Sequence, residues 1–505
     1  ENEIGSRAGI ATNAYTGEGD DDGKDMNTPS PAENAGNADT PEPSQNPNDK
    51  QNDKKKAEQV SLQKKIRSYY ARILLYAFLT NDKVISLFDI IQTIATADNK
   101  RIAHNIGLSK SVLILINDKI NKFVLNQLDY KIKDLNDLSR ASNMTVDERT
   151  SVAISKFGKL GEAIVVTPSN ICDDMVALLP DECFNSVVQN DTKILDIAGT
   201  AGEFAIALVK RMKVLGVNES IIKNSIYTIP KSKLCYELIR KVYEMLDLNI
   251  QNIAEQIEAI YIFDKDSKMD IKTLNKIFAQ NKSFDRIKLT DEPQEGEEHV
   301  KFEAIVGNPP YQEIVSKNVG NKSLGRQLFP SFIQWATSIS ERFTSLITPS
   351  KWFTSEGQDG SFLKLREFAK QNNHFKCVHI FADNSKIFEG VLLGSVNYFL
   401  YDNLYYGDTL FVSESKSVYR PLFEDGLDVI IPYDQMVNIV NKVRNHPGFK
   451  SLMTYTCGRD AFGISGKKES LEIQTVAEPF PNAVSVRCAY EQIRYIDRKN
   501  ISKNL

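Results

Sequence analysis

An α/β protein built on a doubly wound sheet is what this sequence predicts, and three observations point there. From about Lys156 onward, apolar runs of strand length alternate with helical stretches. One such run, Lys193-Ile194-Leu195-Asp196-Ile197, passes into Ala198-Gly199-Thr200-Ala201-Gly202-Glu203-Phe204 and then into a long helical pattern to about Val214. A strand ending in Asp, then small residues, then a helix is a nucleotide-binding crossover, because small residues let the backbone approach a ligand. A later run, Ala304 to Gly307, is stopped by Asn308-Pro309-Pro310-Tyr311. Two prolines cannot donate to a ladder, so the polar groups at that tip are expected at a rim.

At 505 residues the chain has room for two or three domains and a large core. It does not begin with Met and ends at Asn504-Leu505 directly after a patterned run, so a piece of a longer polypeptide is expected. Net charge is -4 and pI about 5.9, so any nucleic-acid binding has to come from a local basic surface. Six scattered cysteines (Cys172, Cys183, Cys235, Cys377, Cys457, Cys488) form no Cys-x-x-Cys pair, and the five histidines do not cluster with them. That pattern suits a reducing cytosol and predicts no metal site. The longest apolar run, Ala71 to Leu79, is too short to span a bilayer, and no signal-peptide pattern opens the chain, so a cytoplasmic protein is expected.

In chain order, residues 1–56 are rich in Gly, Asn, Asp, Pro, Ser and Lys, with too little apolar surface to offset ordering entropy: a disordered linker is predicted. Residues 57–150 turn helical. Ile66, Tyr69, Tyr70, Ile73, Leu74 and Ala77 recur at three- and four-residue spacing, and Val84 to Ile94 does likewise. Gly107 is placed to end one helix and Ser109 to cap the next. The sheet domain is assigned to 151–404. Ile164-Val165-Val166 leads through Thr167-Pro168 to a helix from Ser169 to Leu179, with Ser169 or Asn170 as its cap. Ser225 to Pro230 reads as a second strand, Lys233 to Leu246 as its helix, and Ala259-Ile260-Tyr261-Ile262-Phe263-Asp264 as a third strand. After the Asn308 strand, 315–325 reads as a mobile or ligand-facing loop, Gln327 to Ile339 as a helix, and Phe343 to Pro349 as a strand. Cys377 to Phe381 and Ser395 to Tyr401 then complete about seven strands. Residues 405–505 change grammar, with a helix at Gln435 to Arg444 and basic residues Arg459, Lys467, Lys468, Arg487, Arg494, Arg498 and Lys499 that could meet phosphates.

The chemistry concentrates at Asn308. Its side-chain carbonyl and the backbone carbonyl of Pro309 can accept two hydrogen bonds from one amino group, and Tyr311 offers a flat face to a planar base. A strand-ending turn with a packed Tyr is the plain alternative.

Asn308-Pro309-Pro310-Tyr311 resembles the catalytic motif of amino-methyltransferases, N6-adenine DNA methylases above all, with glutamine methyltransferases that act on release factors as a smaller group. The Asp196 loop, about 110 residues earlier, resembles their first motif, of the form Asp-Pro-x-Cys-Gly-Ser-Gly-x-Phe. It departs from it at Ile197, where Pro is usual, at Gly199 in the Cys position, and at Thr200 and Ala201 in the next Gly and Ser positions. Donor loop, catalytic tip and recognition region come in the order of the gamma arrangement, in single-chain restriction-modification enzymes. The resemblance implies a Rossmann-like methyltransferase sheet preceded by a helical coupling domain and followed by a partial target-recognition domain. It also implies S-adenosylmethionine as donor, double-stranded DNA with a flipped adenine as substrate, and helicase or nuclease parts on the same polypeptide; no nuclease motif is visible. Carried over residue by residue, Asn308, Pro309, Pro310 and Tyr311 are catalytic. Thr167, Asp196, Ala198, Gly199, Gly202, Glu203, Phe204, Phe263 and Asp264 bind the donor, Asp266 being the nearby rival of Asp264, and Tyr311 and Phe388 stack on the base. The tip of the second strand is Ile229-Pro230, where an acid usually accepts from the ribose, so no ribose carboxylate is assigned, Glu203 and Asp196 being the candidates. Two other readings stay open: a protein glutamine methyltransferase, and a DNA-recognition or motor-coupling module without methyl transfer.

Overall fold

The computed structural model describes residues 69–157, 165–255, 258–259, 262–263, 273–274, 278, 300–314, 325–357, 359–388, 394–413, 416–450, 476–487 and 493–497. The predicted linker 1–56, the loop 315–324 and Asp264 lie outside them. The chain divides into two units at Tyr433 and Asp434.

In the first unit, residues 69–79 are helical and are followed by helices Leu87–Thr93, Ala97–Ile106, Lys110–Lys119, Lys122–Ser139 and Val146–Phe157. Gly107 closes Ala97–Ile106 in the left-handed region at φ 71°, as its position predicts, while Ser109 stands at the N-cap of the next helix without a side-chain cap bond. The apolar stripe is core: Leu74, Phe78, Leu87, Ile132 and Leu135 pack together, and Ala201 and Leu238 from the sheet region share their cluster. The helical region is therefore seated directly against the loop that follows the first strand.

Next come helix α1 (Ser169–Ala177), helix Asp181–Gln189, strand β1 (Lys193–Gly199), helix α2 (Glu203–Val214), a short helix, β2 (Ile226–Pro230) and α3 (Lys233–Met245). They are followed by β3 (Phe302–Gly307), a hairpin of β4 (Gln312–Ile314) and β5 (Gly325–Gln327), α4 (Phe329–Ile339) and β6 (Ser340–Pro349). Helix Ser361–Gln371, β7 (Phe375–Phe381), β8 (Val396–Asp402), β9 (Thr409–Ser413) and β10 (Lys416–Arg420) end the unit. The main sheet has eight strands in the order β10-β9-β7-β8-β6-β3-β1-β2. β2, β1, β3 and β6 run parallel, and β8 is antiparallel to both of its neighbours. β1 and β3 are buried along their whole length, which is why they read as mainly apolar without alternation, Lys193 and Asp196 in β1 and Glu303 in β3 being the charged exceptions. One face is covered by a layer containing Phe329, Phe332 and Leu365, the other by one containing Met175, Phe204 and Ile239.

Three expectations need correction. Helix α1 starts behind Pro168 with no side-chain cap bond, neither Ser169 nor Asn170 supplying one. The predicted third strand is absent among the described residues: Ala259 sits in a 3-10 turn and Ile262 and Phe263 in a turn, while Ile253 makes only an isolated bridge to Thr228. The sheet gains β9 and β10 from beyond residue 404, because β9 pairs parallel with β7 and β10 pairs back on β9, so the predicted boundary at 405 falls inside a sheet. The second unit, from Asp434, shows helix Asp434–Arg444 and an antiparallel hairpin of Ala483–Arg487 with Ile493–Asp497. The side chains of the basic residues named there lie outside the described set.

Candidate functional site

The chain leaves β1 to one side for β2 and returns to the other for β3. The carboxyl ends of β1 and β3 therefore flank a switch point, where open α/β sheets hold their ligands.

At the end of β1, Asp196 is fully buried; its Oδ1 accepts from the Ala198 amide at 3.3 Å and its Oδ2 has no partner among the described residues. Burial and the nearby Glu203 charge hold its carboxyl well above the usual range, against the Ala198 bond and Lys231. Gly199 has no room for a Cβ, which would lie 2.5 Å from Thr228 Cγ2 and 2.8 Å from Asp196 Oδ2. Gly202 caps α2 at φ 78°, and a Cβ there would meet Val242 of α3 at 2.8 Å. Glu203 opens α2 and folds back as a brace: its carboxylate accepts from the amides of Ala201 at 2.7 Å and Thr167 at 3.3 Å. The Lys231 amide closes the loop on its other side by donating to the Gly199 carbonyl at 2.9 Å.

At the end of β3, Gly307 adopts φ 152°, and a Cβ on it would stand 3.2 Å from both Asp196 Oδ1 and Ile197 Cγ1. The two strand tips are in contact there. Asn308 follows, only 3% exposed, so the tip is buried and not held at an open rim. Its Nδ2 donates to Thr167 Oγ1 at 3.2 Å and its buried Oδ1 has no partner among the described residues. That bond assigns the amide orientation, leaving the carbonyl as the free group. Pro309 and Pro310 are buried. Tyr311 is anchored by its carbonyl, which accepts from Leu328 at 3.0 Å, and by an edge-to-face contact with Phe329. Its hydroxyl is buried without a partner among the described residues, and burial pushes its pKa up.

Thr167 is thus bonded through its amide to Glu203 of the β1 loop and through its hydroxyl to Asn308 of the β3 tip. Asp196 Oδ2, Thr200 Oγ1 and Asn308 Oδ1 are buried acceptors left open around that junction. The structure brings together Thr167, Asp196, Ala198, Gly199, Gly202, Glu203 and Asn308. Two assigned residues are core instead: Phe204, 1% exposed, and Phe388, 2% exposed, pack in the layer with Met175 and Ile239. In this conformation neither ring face is open to a ligand. Phe263 is partly buried and packs edge-on against Phe332 at 4.7 Å. Sequence reasoning missed Gly307, Thr200 as an open acceptor, and Lys231; the glycine directly before Asn308 was the available signal for the first. A separate polar cavity of about 300 Å³ lies between the helical region and α3, lined by Asn81, Asp98, Arg101, Glu237 and Lys241 among others, and holds none of the predicted site residues.

Fold and site define a class: an open α/β sheet whose switch point pairs a glycine-rich acidic loop with a buried amide carbonyl. Residues 206–388 match the family described as Eco57I restriction-modification methylase. A 113-residue stretch is 34% identical to an uncharacterized adenine-specific methylase of Mycoplasma pneumoniae, covering 22% of this chain and 26% of that protein. The chain thus spans about a quarter of the curated relative it matches. Among solved structures, it is similar to the DrdV–DNA complex (14% identity, TM-score 0.44, 70% of this chain and 40% of that one). It is also similar to the methyltransferase subunit of a type I restriction-modification system from Streptococcus thermophilus (13%, TM-score 0.37, 71% and 73%).

Proposed function

We propose that the chain carries the modification activity of a restriction-modification system: transfer of a methyl group from S-adenosylmethionine to N6 of an adenine in double-stranded DNA. The observation that carries this reading is Thr167, hydrogen-bonded at once to the Glu203 loop and to Asn308. The family match over 206–388 and the adenine-specific name of the relative support it.

The residues fit such a donor. A sulfonium-bearing amino acid nucleoside is cationic at two positions, and the crevice offers the open Asp196 Oδ2 and a loop pared to glycine where a ligand must come close. Thr167, Asp196, Ala198, Gly199, Gly202 and Glu203 would hold it; Asp264 is carried by resemblance alone. When bound, it supplies an electrophilic methyl carbon. Asn308 Oδ1, already freed by the Nδ2 bond to Thr167, accepts from the adenine amino group, and the Pro309 carbonyl accepts its second hydrogen. Held so, the nitrogen lone pair is turned out of ring conjugation and towards the methyl. Both carbonyls would stabilise the positive charge that develops on nitrogen as the N–C bond forms and the donor's S–C bond breaks to a neutral thioether, and the proton would then pass to water. The adenine must leave the stack to reach Asn308, and Tyr311 offers it a face. In this reading the region from Asp434 contributes to target recognition, and motor or nuclease parts belong to the same polypeptide.

The test is transfer of labelled methyl from S-adenosylmethionine to duplex DNA by the wild type and by Asn308→Ala. Wild-type transfer with at least about a 100-fold loss in the variant, at nearly unchanged donor affinity, is expected for an acceptor of developing charge. Undiminished turnover in Asn308→Ala sinks the assignment.

A further inference from the structure

We propose that Lys231 is the residue that reads the donor's ribose, its ammonium donating hydrogen bonds to the sugar hydroxyl oxygens; this rests on the donor reading above. The carboxyl end of β2 is where a doubly wound sheet meets the ribose of a bound nucleoside, usually with an acidic side chain that accepts from the hydroxyls. Here that end is Ile229 and Pro230, neither of which can form a side-chain hydrogen bond, and Lys231 is the first residue beyond. Its backbone is fixed at the crevice by the bond from its amide to the Gly199 carbonyl at 2.9 Å, and β1 and β2 are in register at Gly199 and Pro230.

The two carboxylates beside it are poor substitutes. Glu203 spends both oxygens on the amides of Ala201 and Thr167. Asp196 sits a strand away with zero exposure. Lys231 is the opposite case: a partly buried ammonium that makes no hydrogen bond or ion pair among the described residues. Glu203 and Asp196 lie near enough to favour its charge, yet burial wins and lowers its affinity for a proton. A desolvated cation without a partner is costly, and a ligand oxygen placed against it removes that cost. Of the oxygens such a donor carries, the ribose hydroxyls belong at the β2 end. The usual polarity of this contact is thereby reversed, with the protein donating and the sugar accepting.

The test is calorimetric binding by the full chain and its Lys231→Met and Lys231→Arg variants. Two probes are used: S-adenosylhomocysteine, which has ribose and a carboxylate, and 5′-methylthioadenosine, which has the ribose alone. Loss of one charge-assisted hydrogen bond predicts about 10- to 100-fold weaker binding of both probes by Lys231→Met, with partial recovery in Lys231→Arg. Equal binding by Lys231→Met and wild type overturns the proposal. So does a loss confined to S-adenosylhomocysteine, which would give Lys231 to the carboxylate. Circular dichroism of each variant separates a folding defect from a binding one, and Lys231→Arg carries the test if the Met variant fails to fold. Failure of the wild type to bind either probe removes the donor reading itself, and this inference with it.

Discussion

The bond between Asn308 and Thr167 makes a quantitative prediction through Thr167→Val. The change keeps the side chain's shape and replaces a hydroxyl by a methyl, so the Asn308 Nδ2 loses its 3.2 Å acceptor in a side chain only 3% exposed. Leaving a buried donor unsatisfied costs about 1–3 kcal/mol. The amide escapes that cost by rotating, which points Nδ2 into the hollow and turns Oδ1 away from the amino group it must accept. The acceptor geometry is then populated in only a fraction of molecules, and transfer falls by about 10- to 100-fold, the equivalent of the same energy range. Donor affinity falls by less than the rate does, because the amide of residue 167 still reaches Glu203 and Asp196 is untouched. Single-turnover methyl transfer gives the first quantity and calorimetry with S-adenosylhomocysteine the second; Thr167→Ser, which restores an oxygen, should recover most of the rate. Wild-type turnover in the Val variant, or a loss of donor binding as large as the loss of rate, would refute the orienting role.

Two further predictions concern stability. Glu237 of α3, with its side chain 2% exposed, accepts from Arg101 Nε at 3.0 Å, Arg101 Nη2 at 3.2 Å and Asn105 Nδ2 at 2.6 Å, tying the helical region to the sheet. Glu237→Ala strands these donors and should cost about 3 kcal/mol, the low end for a broken buried pair because Arg101 keeps some access to water; a urea midpoint corresponding to less than about 1 kcal/mol contradicts this. His379 stacks on Tyr398 at 4.6 Å, and burial pushes its pKa down to about 4. Between pH 6.5 and 4 the unfolded chain takes up a proton that the folded one refuses, so stability falls as pH falls through that window, by at most about 3 kcal/mol. Carboxylates titrate nearby, so the quantity to measure is the difference from His379→Phe: the variant should lack this share of the acid loss, and parallel curves for the two proteins would show that His379 does not titrate as described.

The parts of the fold legible in the sequence were those whose physical cause is local. Lys193–Gly199 and Phe302–Gly307 are central strands buried on both faces, so their apolar runs announced them. The run from Ala259 to Phe263 looked the same and is no strand where it is described, since a short apolar run packs equally well in a turn. Among the described residues, the open edge of β2 is met by the Ile253 bridge to Thr228, by the Ala254 amide, which donates to the Thr228 carbonyl, and by Asn252 Nδ2, which donates to the Ile226 carbonyl. Thr409–Ser413 and Lys416–Arg420 failed in the other direction: β10 is largely polar and lies at the sheet's edge, and β9 offers only the three-residue apolar run Leu410-Phe411-Val412, too short to announce a strand, so pairing with β7 is what reveals them. Thr167 had no local signature for its contact with Asn308, because the two are 141 residues apart. Yet one local residue did encode the meeting of the tips. Gly307 directly precedes Asn308, and the space a Cβ on the glycine would occupy belongs to Asp196 Oδ1 and Ile197. A glycine at the end of a central strand that is otherwise apolar apart from Glu303 has no packing reason to be there. It marks a strand end that something else approaches closely, and here that neighbour is the Asp196 carboxyl on β1.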